Sequence, residues 1–174
     1  TENYNPYTFK NFFNGGGVGL GDFNNDQRID IYLTGNLVPN KLYINQGNMT
    51  FKDMTKSAGV ACPDVWSSGV SLVDINADGL LDIYVCKSGE PNPKGNRKNE
   101  LFINQGDLTF KEEAAAYGLD FEGLAVHAVF FDYDLDGDLD CYLLNNSIRS
   151  VGGYDIIPGQ REIPNPNGGN LLLK

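Results

Sequence analysis

Three acidic runs of nine residues carry the side chains in this sequence that are best suited to chemistry. Each run places a side-chain oxygen at positions 1, 3, 5 and 9. Oxygens at this spacing can fold around a hard cation. Calcium fits best because it accepts about six to eight oxygens in a flexible shell, whereas magnesium demands a stricter octahedron. With a backbone carbonyl expected from position 7, the candidate metal ligands are Asp22, Asn24, Asp26, Arg28 and Asp30; Asp74, Asn76, Asp78, Leu80 and Asp82; and Asp132, Asp134, Asp136, Asp138 and Asp140.

The EF-hand is one alternative, because its loop begins with the same oxygen spacing. An EF-hand loop carries a bidentate glutamate at position 12 and continues into a helix. Position 12 here is Leu33, Val85 or Leu143, and none of these side chains can bind a cation. Each loop continues into a short apolar run rich in β-branched and aromatic residues, which predicts a buried strand. We therefore expect the aspartate at position 9 to complete the ligand shell.

Polar turns that bind no metal are the other alternative, since Asp and Asn favour turns in general. Several carboxylates in one turn repel one another unless a cation lies among them, which favours the metal site. Position 6, where a sharp turn needs a positive φ, is Gly79 in the second loop and Gly137 in the third. In the first loop this position is Gln27, so the first loop departs from the pattern.

The loops lie within a longer repeat. The segment Asn40-Lys-Leu-Tyr-Ile-Asn-Gln-Gly47 recurs 59 residues later as Asn99-Glu-Leu-Phe-Ile-Asn-Gln-Gly106, and the acidic loops recur after 52 and 58 residues. Each unit reads as a strand of small and apolar residues, the acidic loop, an apolar strand, a variable loop, and two further strands joined by a tight turn. Four antiparallel strands per unit, at a period of about 50 residues, are typical of a β-propeller blade.

The units resemble FG-GAP/VCBS repeats, which build the propellers of integrin alpha subunits and of many secreted bacterial proteins. The resemblance is carried by Trp66-Ser-Ser-Gly-Val-Ser-Leu-Val-Asp74 and Phe130-Phe-Asp-Tyr-Asp-Leu-Asp-Gly-Asp-Leu-Asp140. These phrases are most similar to the bacterial proteins. Some members of the family end in an ASPIC/UnbV-type tail domain, as cartilage acidic protein-like proteins do. The resemblance implies that the acidic loop joins the first two strands of each blade and binds calcium through its Asp and Asn residues.

We therefore predict an all-β fold: a β-propeller of about three four-stranded blades with calcium-binding DxDxDGxxD-type loops. The blades are expected at about 12–56, 66–113 and 124–174. The last blade is incomplete, because residues 171–174 align with the third strand at 42–45 and no fourth strand follows. Propellers typically need about four to eight blades to close, so we expect an N-terminal piece of a larger propeller. Residues 8–10 echo residues 50–52 and are a candidate outer strand.

The charge of the chain agrees with metal sites. The formal net charge is −10, and the three loops hold three, three and five of the 23 acidic residues. Three calcium ions would offset six of these negative charges. An acidic chain is a poor match for nucleic acid, which needs basic patches, and no apolar run is long enough to span a membrane. We predict a mature or trimmed exported protein, secreted or on the cell surface, including the bacterial outer surface, where calcium is abundant.

The cysteines and the single histidine give weaker signals. Cys62, Cys86 and Cys141 are expected to be small buried apolar residues, although a disulfide through Cys62 stays open, and no zinc spacing is present. His127, at the register of Gly69 in a first strand, is expected to be a core or channel-lining residue. The sequence lacks the Gly-x-Ser-x-Gly nucleophile motif and any Cys–His pairing signal, so we predict that the chain is not an enzyme.

Binding is the predicted function, because loops on a rigid scaffold usually carry binding residues. The variable loops 87–98 and 145–169, with Trp66, are predicted to form a face for a protein or carbohydrate ligand, opposite the calcium loops. The chain would then be a calcium-binding extracellular module for binding or adhesion, in which calcium is structural. Two alternatives stay open: the non-catalytic portion of a secreted hydrolase or lyase, and a passive spacer or assembly subunit of a surface complex.

Overall fold

A computed structural model of the chain describes residues 15–63, 65–88, 97–146 and 168–174. These residues form eleven β-strands and one short helix, which confirms the predicted all-β class. The candidate outer strand at 8–10 lies outside the described residues. No helix in these ranges is long and apolar enough to cross a membrane. The elements are β1 (Val18–Gly21), β2 (Asp30–Leu33), β3 (Lys41–Gly47), β4 (Thr50–Asp53), α1 (Thr55–Ala58), β5 (Ser67–Val73), β6 (Asp82–Lys87), β7 (Glu100–Asn104), β8 (Phe110–Glu112), β9 (Ala125–Phe131), β10 (Asp140–Asn145) and β11 (Leu171–Leu173).

The strands form three antiparallel sheets in which sequence neighbours pair. The first sheet has the order β1-β2-β3-β4, the second β5-β6-β7-β8 and the third β9-β10-β11. Because neighbouring strands alternate in direction, each acidic loop lies at the same end of its sheet as the hairpin between the third and fourth strands. The connection between the second and third strands lies at the opposite end. The predicted separation of the acidic loops from the variable loops therefore follows from the sheet topology.

The pairing of β11 with β10 corrects the sequence alignment of residues 171–174 with residues 42–45. Leu171 pairs with Leu143 and Leu173 with Cys141, as Lys41 pairs with Leu33 and Tyr43 with Ile31 in the first sheet. Residue 171 therefore corresponds to residue 41, and the sequence alignment with 42–45 was wrong by one residue. The error reverses the faces, since side chains alternate along a strand.

The first strands of the three sheets lie against one another. Gly17 N–H donates to Ser68 O at 2.8 Å, and Ser68 Oγ donates to Ala125 O at 2.6 Å. A Cβ added to Gly69 would lie 2.3 Å from Val126 O, so this position needs glycine. The small residues of these strands thus allow neighbouring backbones to approach closely.

The core fills the two gaps between the sheets. The first cluster of buried residues lies between the first and second sheets, and the second lies between the second and third sheets. Along β6, Ile83 and Val85 belong to the first cluster, whereas Tyr84 and Cys86 belong to the second. The second sheet is therefore buried on both faces, which explains why β6 reads as a continuous apolar run rather than as an alternating one.

The outer faces of the first and third sheets lie open and are apolar. On the first sheet Val18 is 58% and Leu20 is 61% exposed. On the third sheet the exposed large side chains are Val129, Phe131, Tyr142, Leu144 and Leu172. Leu172 occupies the position of Leu42, which is fully buried in the first cluster. The same strand position is thus buried in the first sheet and exposed in the third.

A tyrosine–asparagine pair recurs in all three sheets. Asn40 Nδ2 donates to Tyr32 Oη at 2.9 Å, and the hydroxyl of Tyr32 donates to Val60 O at 2.7 Å. Asn99 Nδ2 donates to Tyr84 Oη at 2.9 Å, and Tyr84 donates to Leu119 O at 2.9 Å. In the third sheet the corresponding pair is Asn170 and Tyr142, at 2.8 Å. The asparagine side-chain oxygens accept backbone N–H groups at the ends of the second strands, so each pair ties the residue before the third strand to the end of the second.

His127 is exposed, which excludes the core alternative, and the channel-lining alternative stays a prediction. His127 pairs with Leu144 in regular register next to Ala128, so ordinary alternation places the two side chains on opposite faces. Beyond His127 a β-bulge, at which Asn145 pairs with Ala125, leaves one extra residue in β9. Ala125 and Ala128 are both buried, and His127 points away from the core. β5 has a similar irregularity between Ser67 and Val70. Bulges of this kind change the alternation of side chains that sequence reasoning assumes.

The three cysteines are free and buried, as small apolar residues would be. Burial raises the pKa of the Cys141 thiol to about 12 and raises the pKa of Cys62 well above its usual value. Cys62 Sγ–H donates to Glu100 Oε2 at 2.7 Å. These thiols therefore stay protonated near neutral pH, and the open alternative of a disulfide through Cys62 is not the arrangement of this structure.

We expect the substitution Asn99→Ala to lower the free energy of unfolding by about 1–3 kcal/mol, because it leaves the Lys87 N–H without its acceptor and the buried Tyr84 hydroxyl with only its bond to Leu119 O. Urea denaturation measures the loss. Asn170→Ala is the matched control: its tyrosine is 39% exposed, so water can replace the bond and the loss should be under about 1 kcal/mol. Equal losses in the two variants would contradict the structural role given to the buried pair.

Candidate metal centres

The three acidic loops have the same backbone conformation. Positions 4 and 6 have positive φ in each loop. Asn25 and Gln27 have φ of 56° and 66°, Ala77 and Gly79 have 56° and 84°, and Leu135 and Gly137 have 62° and 98°. Gln27 therefore makes the same turn as the two glycines. A left-handed conformation costs a non-glycine residue about 1–2 kcal/mol, so each loop stores strain.

The aspartates at positions 1 and 5 hold this turn. Asp74 accepts the N–H groups of Asp78 at 3.0 Å and Gly79 at 2.9 Å, and Asp78 Oδ1 accepts the N–H of Leu80 at 2.9 Å. The corresponding bonds recur around Asp22 and Asp26 in the first loop and around Asp132 and Asp136 in the third. The N–H groups turn these carboxylates toward the centre of each loop.

The aspartate at position 9 connects each loop to its sheet. Asp82, which is fully buried, accepts the N–H of Ile75 at 3.1 Å through Oδ2 and the N–H of Asn104 at 2.8 Å through Oδ1. Asp30 makes the same two bonds, to Phe23 and Asn45, and Asp140 bonds to the corresponding residue of its loop. Sequence reasoning assigned this residue to the metal shell only and missed its bonds to the sheet.

Burial raises the pKa of Asp30 and Asp82, the two backbone bonds of each carboxylate lower it, and the neighbouring loop carboxylates raise it further. A carboxyl whose pKa rises on folding favours the protonated form in the folded state. Its ionisation therefore opposes folding as the pH rises from the unfolded pKa through the folded pKa. A cation among the loop carboxylates would offset this cost.

The third loop brings the most carboxylates together. Asp132, Asp134 and Asp136 each offer an oxygen within 4.8 Å of the others, which is close enough for one ion. A hydrogen bond between Asp136 and Asp138 lowers the pKa of Asp136 and raises the pKa of Asp138. Like charges this close oppose each other's ionisation.

Positive side chains lie against two of the loops. Arg28 Nη2 is 2.5 Å from Asp26 Oδ2 in the first loop. Lys174 pairs with Asp134 in the third loop and lies 5.0 Å from the centre of the Tyr133 ring. In the second loop the residue at the position of Arg28 is Leu80. The first and third loops thus each have a positively charged side chain beside their carboxylates.

The donor atoms of the loops suit a hard cation. Asn24 Nδ2 donates to Asp26 Oδ2 at 2.9 Å, and its Oδ1 is buried without a hydrogen-bond partner. An orphaned carbonyl oxygen beside two carboxylates is a site that calcium could satisfy, since calcium takes carboxylate and amide oxygens alike. The loops therefore fit the ion, and the ligand atoms proposed at positions 1, 3, 5, 7 and 9 stay a prediction.

Side chains that were not assigned as metal ligands tie the first two loops together. Asn104 Nδ2 donates to Phe23 O at 2.9 Å, and Asn25 Nδ2 donates to Gly79 O at 3.2 Å. Phe23 is 1% exposed, and its ring meets Phe110 edge to face at 6.0 Å. Sequence reasoning did not assign these roles; the one available signal was the asparagine of the repeated Ile-Asn-Gln-Gly segment.

The predicted ligand face is only partly described, because residues 89–96 and 147–167 lie outside the described ranges. Trp66 is 5% exposed, so its proposed part in an exposed binding face was wrong. Its backbone forms a bridge with Asn36, and its carbonyl accepts the N–H of Ser88. Lys87, one of the predicted basic cluster, is buried and pairs with Glu100 at 2.8 Å.

Comparison with known proteins places the chain among repeat proteins. Residues 22–85, which include the first two acidic loops, match the family model described as FG-GAP-like repeat. Cartilage acidic protein 1 of Mus musculus is 44% identical over 139 residues, covering 78% of this chain and 20% of the relative. The Homo sapiens protein is 29% identical over 78% of the chain, and that of Xenopus tropicalis 27% over 90%, covering 20% and 24% of those relatives. The chain thus spans about a fifth to a quarter of the length of these curated relatives.

We expect Gln27→Gly to raise the free energy of unfolding by about 1 kcal/mol, because glycine adopts a positive φ without the steric cost that Gln27 bears. The reciprocal change Gly79→Gln should lower stability by a similar amount. Chemical denaturation in the presence of chelator compares the variants without any metal contribution. The two substitutions must change the free energy of unfolding in opposite directions. A loss of stability in Gln27→Gly would contradict the shared backbone conformation of the loops.

Proposed function

We propose that the acidic loops bind structural calcium within a β-propeller, and that the propeller is an extracellular, non-catalytic binding module; the match of residues 22–85 to an FG-GAP-like repeat supports this proposal. The observation that carries the proposal is the threefold repetition of one strained loop, in the third copy of which three aspartate oxygens lie within 4.8 Å of one another. Strain in a loop persists when something else stabilises the conformation. Calcium bound by positions 1, 3, 5, 7 and 9 would cancel the repulsion among the carboxylates and join the first strand of each sheet to the second.

The packing of the sheets supports a propeller. Each sheet is a meander, the first strands lie together, and the apolar clusters fill the gaps between consecutive sheets. We interpret the sheets as blades within the predicted ranges of about 12–56, 66–113 and 124–174. The open apolar faces of the first and third sheets are the faces that adjacent blades would cover. Three blades do not close a ring, since propellers need about four or more, so further blades are part of the proposal.

An extracellular location accords with the proposed calcium sites, because weak calcium loops fill only where calcium is abundant, at about millimolar concentration. The similar proteins found are vertebrate, and they add no support for a bacterial surface. The binding partner, protein or carbohydrate, would meet the end of the sheets opposite the calcium loops. A portion of a secreted enzyme and a passive spacer are the alternatives, and both would keep the same structural calcium.

Calcium should raise the melting temperature of the chain relative to chelator. A ligand that binds only the folded state at roughly 100 times its Kd stabilises by about 2.7 kcal/mol per site. Asp78→Ala and Asp136→Ala should each lose a large part of this increment, and each should cost more stability in calcium than any single substitution in loop 87–98. Differential scanning calorimetry with and without calcium measures the increment.

The control variant is Asp120→Ala, which removes a surface aspartate paired with Lys98 outside the loops. It should leave the calcium increment unchanged while altering stability slightly in both conditions. If wild-type protein shows no calcium increment and retains no metal, the loops are plain polar turns and the proposed function is wrong.

A further inference from the structure

The first and second loops form a matched pair within one chain. Both have Asp, Asn, Asp and Asp at positions 1, 3, 5 and 9, and both have positive φ at positions 4 and 6. Both close through the same bonds from position 1 to the N–H groups of positions 5 and 6. Position 7 is the electrostatic difference between them, since it is Arg28 in the first loop and Leu80 in the second.

Two groups hold the Arg28 guanidinium at the first loop. Nη2 is 2.5 Å from Asp26 Oδ2, and Nε donates to Asn45 O, in β3, at 3.0 Å. Leu80 extends toward the corresponding hairpin of its own sheet, because a Cβ on Gly106 would lie 3.6 Å from Leu80 Cδ1. The two side chains thus follow similar paths, and exchanging them would change the charge without requiring a new path.

As a result, one oxygen of the Asp26 carboxylate already has two hydrogen-bond donors. Asp26 Oδ2 receives both Arg28 Nη2 and Asn24 Nδ2, whereas the corresponding oxygen of Asp78 receives Asn76 Nδ2 at 2.9 Å. Arginine keeps its charge at all relevant pH values. A divalent ion in the first loop must therefore displace the guanidinium or bind beside a fixed positive charge.

We propose that Arg28 is a tethered cation that competes with calcium in the first loop, so that the first loop binds calcium more weakly than the second. This inference rests on the proposed calcium-binding function. Repulsion between a unit charge and a divalent ion, even in a water-like dielectric, corresponds to roughly a thirtyfold change in affinity at about 4 Å and still to roughly a fivefold change at about 8 Å. The second loop would fill first, and the first loop would keep its conformation at calcium concentrations that leave it empty.

Reciprocal substitution tests the inference directly. Arg28→Leu should strengthen one calcium-binding step by roughly fivefold to thirtyfold and leave the others unchanged, whereas Leu80→Arg should weaken one step by a similar factor. Calcium titration calorimetry on chelator-treated protein gives the stepwise Kd values. Asp22→Ala removes a first-loop ligand and so identifies the step that belongs to this loop. Arg28→Gln, which removes the charge but keeps a polar side chain, provides a second variant should Arg28→Leu fold poorly.

The outcomes separate the inference from the function on which it rests. If wild-type protein binds calcium but neither Arg28→Leu nor Arg28→Gln tightens any step, the tethered-cation inference is wrong and the calcium function stands. If wild type and every variant bind no calcium, the proposed function fails and the inference fails with it. Arg28→Lys should retain weak binding in the first loop, and a tightened step in this variant would also overturn the proposal.

Discussion

The aspartate at position 9 of each loop is the constraint on which the rest of the repeat depends. In Asp30 and Asp82 one carboxylate holds the N–H of the second loop residue and the N–H of the third strand. The loop, the second strand and the third strand therefore meet at one buried charge. Burial makes that charge costly, and the cost can be offset only by N–H donors and by positive charge nearby. A loop that concentrates further carboxylates beside a buried one makes a cation the natural solution.

Neighbouring sheets are held together by close backbone contacts and by side chains that come from the loops. Small residues in the first strands let neighbouring backbones touch, while the position-2 side chain of a loop fills the gap toward the next sheet. Phe23 does this in the first gap, and Ile75 packs against the second cluster. Asn104 then bonds the backbone of the first loop from the second sheet. The first loop and the second sheet thus share a buried hydrogen bond as well as apolar contacts.

Local patterns were enough to predict the acidic loops, the strand order and the sheets, because oxygen spacing, turn residues and apolar runs are properties of short segments. The structure differed where tertiary neighbours decide. His127 is exposed because it alternates with buried Ala128, a bulge brings Ala125 to the same buried face as Ala128, and Trp66 is buried although it stands at the start of a strand beside a loop. The register of Leu171 was missed because three leucines in a row carry no alternation. The Asn99–Tyr84 bond joins residues 15 positions apart, and only the folded sheet brings them together.

The distribution of charge gives the loops their electrostatic character. Outside the three nine-residue runs, twelve acidic side chains are balanced by twelve basic ones, so the whole net charge of −10 lies within the loops. The surface acidity of the chain is therefore a property of three turns at one end of the sheets. Within them the charge is unequal: the third loop has five aspartates, the second has three, and the first has three with Arg28 among them. The chain thus keeps one backbone conformation in three loops while varying their charge, and under the proposed calcium binding this variation would give each loop a different affinity for the ion.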